Sequence, residues 1–222
     1  MKTNHEPLSI AYVVDDDEPM RTALHSLLCS IGLRVRTFSA PADFLSCDKP
    51  SAPSCLILDV RLRGENGLRV QEEMAGAGVH LPIVFITGYG DVEMSVKAMK
   101  AGAVDFLRKP FRDQDILDAV SDALRRDEAR LASDEAMFAL RTSYGTLTSR
   151  EREVMSYVVD GMLNKQVAAI LKLSEITVKT HRAQVMRKLA CRSLADLVRK
   201  AETLGIGSHS CIPSLRQTAT PS

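Results

Sequence analysis

Ile10-Ala11-Tyr12-Val13-Val14-Asp15-Asp16-Asp17 is a short apolar run that ends in acids. The stretch that follows, 18–31, carries Met20, Leu24, Leu27, Leu28 and Ile31 at helical spacing. The same alternation repeats outward along the chain. Leu33–Phe38 reads as a strand and 41–47 as a short helix. Cys55–Val60 is another apolar run holding an acid, and 66–76 a helix. Pro82–Thr87 is a strand, 91–101 a helix and Val104–Leu107 a short strand, and a helical pattern resumes at Asp113. Strands and helices in regular alternation predict parallel pairing, because parallel strands need crossover connections. Residues 8–125 are therefore expected to form an α/β domain around a doubly wound, five-stranded parallel sheet, with its site at the carboxyl ends of the strands.

That strand count suits a flavodoxin-like order. The helix from Asp113 reads as unusually long. Leu117, Leu124, Leu131 and Phe138 fall seven apart, but the intervening heptad position holds Asp127 and Asp134, which weakens a coiled-coil seam. From about Arg125 to Arg141 the pattern turns charge-rich. Residues 126–145 are thus expected to be an interdomain helix that leaves the sheet, with a break at Thr142–Gly145. From Leu147 the strands stop. Helical segments at 149–159, 164–171, 175–189 and 193–204 predict a small all-α domain over 146–206. The Ser-, Thr- and Pro-rich residues 207–222 predict a mobile tail.

Composition narrows the function classes. Apolar residues make up 45% of the 222 and charged residues 26%, an ordinary soluble balance. Residues 1–7 lack the apolar core of a signal peptide, and no run approaches the ~20 apolar residues of a membrane helix, so a cytoplasmic protein without a membrane partner is expected. The five cysteines form no Cys-x-x-Cys pair and read as reduced thiols. The net charge of +1 conceals a split: residues 146–205 carry +5 and residues 1–145 carry −5. A basic module behind an acidic one points to a polyanionic partner for the second half alone.

Asp15 and Asp16 end the first strand, Asp59 the third and Thr87 the fourth, while Lys109 follows the fifth and precedes Pro110. Each has an ordinary reading by itself: a strand end with a helix N-cap, turn chemistry before Gly88, a loop with room for a cis bond. At successive strand ends, in this order, they converge on one sheet edge. Three carboxylates together repel unless a cation sits among them, and oxygen ligands of this kind suit Mg2+. The set also divides the labour of phosphoryl transfer. A carboxylate can attack phosphorus, while a lysine and a hydroxyl hold the phosphoryl oxygens.

Val13-Val14-Asp15-Asp16-Asp17, Leu58-Asp59-Val60, Ile86-Thr87-Gly88 and Phe106-Leu107-Arg108-Lys109-Pro110-Phe111 resemble the signature segments of response-regulator receivers. The resemblance implies Asp59 as phosphoacceptor, with Asp15, Asp16, Asp59 and the Arg61 main-chain carbonyl as the Mg2+ ligands. It implies Thr87 and Lys109 as phosphoryl-binding groups and Phe106 as an aromatic that turns inward as Thr87 moves. Arg63 stands where such receivers usually carry a proline, so the loop after Asp59 departs from the family pattern.

In the second half, Thr148 and Glu151 have capping-box spacing, Asn164 is placed to cap the next helix, Lys172-Leu173 forms a tight turn and Ser174 caps 175–189. Val178, Val185 and Leu189 share one side of that last helix. Lys179, Thr180, Ala183, Gln184 and Arg187 lie roughly opposite. A short helix, a tight turn and a helix with a polar, basic outer face match a helix-turn-helix whose second helix enters the major groove. Leu147–Val154, Gly161, Asn164–Ala168, Thr177–His181 and Met186–Leu189 resemble the LuxR-type module, and the pair of domains resembles the NarL/FixJ subfamily of response regulators. The resemblance implies base or phosphate contacts from Lys179, Thr180 and Ala183, with Lys165, Thr177, His181, Arg182 and Lys188 mostly on the DNA backbone. It further implies a sensor histidine kinase as phosphoryl donor, a homodimer when phosphorylated with Val92, Val96, Met99 and Lys100 as candidate contacts, promoter DNA and RNA polymerase as partners, and activation of transcription. Two rivals carry different expectations: a receiver gated by partner binding instead of phosphorylation, and an aspartate-based phosphohydrolase. Against the second, Arg61 stands where a general-acid carboxylate would be needed.

Overall fold

The computed structural model describes residues 9–62, 65–88 and 92–206, with backbone alone at 65, 66 and 92. The expected mobile tail, Arg63 and the Val92 side chain lie outside the described residues. The chain divides into two compact units, with the boundary between Ser133 and Asp134.

The first unit is built on parallel strands β1 (Ile10–Val14), β2 (Arg34–Phe38), β3 (Ser54–Asp59), β6 (Ile83–Thr87) and β7 (Asp105–Arg108). Their order is β2-β1-β3-β6-β7, so the doubly wound five-stranded sheet is borne out. Side chains alternate between two cores, as the strand period of two requires. Tyr12, Val14, Leu56, Leu58 and Phe85 pack on one face with Phe44 of α2 (Pro41–Ser46), Val70 and Met74 of α3 (Gly67–Gly76) and Ala98 of α4 (Val92–Lys100). Ala11, Val13, Ile57, Val84 and Ile86 pack on the other with Leu24 and Leu28 of α1 (Glu18–Ser30) and Ile116, Val120 and Ala123 of α5 (Asp113–Gly145). Each fully buried Leu, Ile or Phe contributes about 1.5–3 kcal/mol of transfer free energy. This double coverage explains why β1 and the body of β3, Cys55–Leu58, are apolar on both faces, without a polar alternate position. The chain winds away from β1 in both directions, to β2 on one side and β3 on the other. The switch point therefore falls where Asp15 and Asp59 end their strands.

Two features depart from the sequence reading. A two-residue antiparallel hairpin, β4 (Arg61–Leu62) with β5 (Glu65–Asn66), follows Asp59. Helix α5 also runs unbroken to Gly145, so the expected break at Thr142 is absent. Nor does the helix leave the first unit near Arg125. Asp127 is buried there, and its Oδ2 accepts the Ser54 backbone N–H at 2.9 Å while Oδ1 accepts from Arg130 Nε at 2.9 Å. The carboxylate that weakened a heptad reading is a helix-to-strand tie.

The second unit contains α6 (Ser149–Val159), α7 (Asn164–Leu171), α8 (Glu175–Lys188) and α9 (Leu194–Thr203). Val154, Met155, Val167, Val178, Val185, Leu189, Leu197 and Ala201 form its core, joined by Leu140 and Tyr144. The Thr148/Glu151 capping box and the Ser174 cap are present. Lys172 takes a left-handed conformation, φ 54°, which makes the α7–α8 turn tight. Asn164 is not the cap. Leu163 holds that position and its backbone N–H donates to Gln166 Oε1 at 2.8 Å, while Asn164 Oδ1 accepts from Arg182 at 3.2 Å.

Candidate functional site

The ends of β1, β3, β6 and β7 bring Asp15, Asp59, Thr87 and Lys109 together. Asp15 and Thr87 are fully buried and Asp59 is 6% exposed. Lys109 Nζ donates to Asp15 Oδ2 and to Asp59 Oδ2, each at 2.7 Å. The second oxygens are also engaged: Asp15 Oδ1 accepts the Asp17 N–H at 2.8 Å, and Asp59 Oδ1 accepts the Arg61 N–H at 3.0 Å. The Lys109 backbone N–H donates to Thr87 O at 2.7 Å, which ties the chain just after β7 to the end of β6, and the peptide bond that follows, Lys109–Pro110, is cis. Arg21, unmarked in the sequence, donates to the Asp15 carbonyl at 2.7 Å.

Burial pushes the Asp15 carboxyl above its ordinary range, against the opposing pull of Lys109. For Lys109, burial favours the neutral amine, but the two carboxylates together prevail and hold its ammonium above the usual lysine value. The site thus holds an anionic pocket bridged by one cation. Asp15, Asp16 and Asp59 each offer a carboxylate oxygen within 4.8 Å of the others. The all-oxygen set fits a hard divalent cation.

Gly67 is a residue the sequence reading missed. Its N–H donates to Val60 O at 2.8 Å, and a Cβ built there would stand 2.5 Å from Asp59 O. The backbone of the loop is pressed onto the strand that carries Asp59, and only glycine fits. The signal was present as Asn66-Gly67, a turn dipeptide. Phe106 lies opposite Phe85 in the β6–β7 register, with ring centroids 6.3 Å apart, and is half-buried. Val96 and Met99 stand 44% and 46% exposed on α4, and Lys100 is exposed beside them.

In the second unit, Lys179, Thr180 and Ala183 are exposed on α8, and Lys165 on α7. Thr177, His181 and Arg182 are half-buried. Lys188 points back into its own unit: Nζ donates to Glu151 Oε2 at 2.7 Å and to Thr146 O at 3.1 Å. Lys188 and the capping bond from Thr148 hold the Glu151 carboxyl below its usual range. Lys188 and Arg182 thus both have partners within the unit, unlike Lys179, which makes no ion pair among the described residues.

Residues 11–121 match the family model of the response regulator receiver domain, and residues 145–201 that of the bacterial regulatory proteins of the luxR family. The chain belongs to the response regulators of the NarL/FixJ type. The regulator is 51% identical over 201 residues to nodulation protein W of Bradyrhizobium diazoefficiens, covering 90% of this chain and 88% of that protein. It is 39% identical over 195 residues to the transcriptional regulatory protein FixJ of Azorhizobium caulinodans, covering 88% and 92%. Among solved structures it is similar to the response regulator StyR, with 42% identity, a TM-score of 0.79 and coverage of 88% and 98%. Full-length FixJ from B. japonicum gives 36% identity, a TM-score of 0.52 and coverage of 89% and 97%. The regulator therefore pairs a receiver with a LuxR-type DNA-binding domain, and a sensor kinase and DNA are the partners that this pairing implies. Among the described residues no helix is long and apolar enough to cross a membrane.

Proposed function

We propose that Asp59 accepts a phosphoryl group from a sensor histidine kinase and that this raises the affinity of α8 for promoter DNA. The observation that carries the reading is Lys109 spanning Asp15 and Asp59 at 2.7 Å from each. An Asp59 oxygen forms the new bond to phosphorus as the bond from phosphorus to the donor nitrogen breaks, and the electron pair leaves with that nitrogen. Lys109 already stands at the acceptor carboxylate, where it balances the charge of the incoming oxygens. The Thr87 hydroxyl, from the end of the neighbouring strand, bonds one of them, and Phe106 follows it inward; the buried position of Thr87 at that strand end supports this role. Asp15, Asp16 and Asp59, with the Arg61 carbonyl, would hold Mg2+, which when bound supplies charge neutralisation of the phosphoryl oxygens.

Asp59 is read as an acceptor in a switch and not as a turnover nucleophile, in a cytoplasmic activator that also contacts RNA polymerase. The face of α4 around Val96, Met99 and Lys100 pairs two phosphorylated copies, and Lys179 with Thr180 leads the contacts in each half-site. Residues 126–145 serve as the connecting segment between receiver and DNA-binding domain. The test treats wild type and Asp59→Asn with a small-molecule phosphodonor and measures phosphoryl incorporation, mass in solution and DNA affinity. Incorporation with dimerisation and tighter DNA binding in wild type alone is expected. DNA binding that ignores phosphorylation in both proteins would favour a partner-gated receiver, and rapid multiple turnover of the donor a phosphohydrolase.

A further inference from the structure

The face of α8 that looks away from its core is not uniformly polar. Ile176 is 76% exposed, the highest value among the exposed large apolar side chains of the described residues. It lies in the first turn of the helix, and Thr180, Ala183 and Arg187 follow at four, seven and eleven residues, so all four share one face. That face is opposite Val178, Val185 and Leu189, which are buried. The Thr180 hydroxyl donates its proton back to the Ile176 carbonyl at 3.0 Å, and the residue, exposed on this face, also carries a methyl. Ile176, the Thr180 methyl and Ala183 therefore form an apolar strip along the middle of the face. Lys179 flanks it on one side. Arg187, tied to Gln184 at 2.6 Å, closes its far end.

An isoleucine so exposed stands outside the apolar core that the described residues of its unit form. A basic module of +5 surrounds it, so the complementary surface is a polyanion that also presents apolar groups. In the major groove the only apolar group on a base edge is the C5-methyl of thymine. We infer that Ile176, with Thr180 and Ala183, reads thymine methyl groups, so that this regulator's half-site is selected in part by apolar contact beside the base contact of Lys179. The inference rests on the proposed placement of α8 in the major groove. Ile176 is the specificity-determining residue it adds.

The test uses full-length protein treated with a phosphodonor. An operator is first selected from random duplex DNA. Each thymine of a half-site is then replaced singly by deoxyuridine, which removes the methyl and leaves base pairing intact. In wild type, one or two positions are expected to lose about fourfold in affinity per methyl, the worth of one buried carbon. In Ile176→Ala the penalty at one of those positions should vanish, a coupling that only direct contact produces. Thermal unfolding of Ile176→Ala checks that the exposed substitution leaves the fold intact, and Ile176→Val should keep most of the methyl sensitivity. A selected operator with no methyl-sensitive thymine, or one whose penalties persist undiminished in Ile176→Ala, overturns the inference and leaves the DNA-binding reading standing. Failure to select any sequence overturns both.

Discussion

Asp59 shows how a single residue's chemistry depends on backbone that has no chemistry of its own. Its carboxylate is held at both oxygens, by the Arg61 N–H at 3.0 Å and by Lys109 at 2.7 Å. Its carbonyl is crowded by the loop returning at Gly67. Asp15, Asp16, Asp59, Thr87 and Lys109 were all legible in the sequence, because strand ends in a doubly wound sheet converge. Gly67 was marked only by the turn dipeptide Asn66-Gly67, and its approach to Asp59 was not legible, since the hairpin that precedes it is only two residues deep on each side and leaves no periodic signal. Gly67→Ala should therefore cost about 1–3 kcal/mol, in the range of an overpacked core. Because the nearest obstruction is Asp59 backbone and not a flexible side chain, the shift should reach the acceptor. Urea denaturation measures the first effect and the rate of phosphoryl incorporation the second; an unchanged rate would mean that the strand absorbs the extra carbon without moving Asp59.

At the scale of elements, the tie between α5 and β3 carries the clearest consequence. Ser54 N–H sits at the start of β3, and Asp127 Oδ2 is its acceptor. Asp127→Ala leaves a buried donor unmatched and should destabilise the first unit by about 1–3 kcal/mol, whereas Asp127→Asn retains an acceptor and should cost less. Hydrogen exchange at the Ser54 amide reports the bond directly. Sequence periodicity marks Asp127 only as a polar interruption, because a carboxylate paired across 73 residues has no local signature. The capping box of α6 is the opposite case, since Thr148 and Glu151 lie within one turn and could be read at once. Its pH dependence follows from Lys188. The Glu151 carboxyl is held below its ordinary value of 4.5, so the stabilisation is present above that pH and is lost as pH falls through the lower folded value. Acid titration of the unfolding midpoint should show this loss in wild type and a shallower one in Glu151→Gln.

For the whole molecule, the division of charge separates two ways in which phosphorylation can raise DNA affinity. The −5 of residues 1–145 and the +5 of 146–205 were legible from composition, whereas the role of individual cations was not. Lys188 and Arg182 look like backbone contacts in the sequence but are bonded within their own unit. The exposed cations of α7 and α8 are Lys165, Lys179 and Arg187. With Lys179 as the base contact, two phosphate contacts per module, from Lys165 and Arg187, give a slope of roughly −2 in a plot of log affinity against log salt, from about −0.9 per contact. If phosphorylation pairs two modules on two half-sites, the slope should steepen to roughly −4. If it only frees a single module, affinity rises while the slope stays near roughly −2. Salt titrations of binding to the same duplex, with and without phosphodonor, measure both quantities together. A Met99→Asp change on the proposed α4 pairing face should return the phosphorylated protein to the shallower slope without altering phosphoryl incorporation. A steep slope that survives that change would place the pairing surface elsewhere.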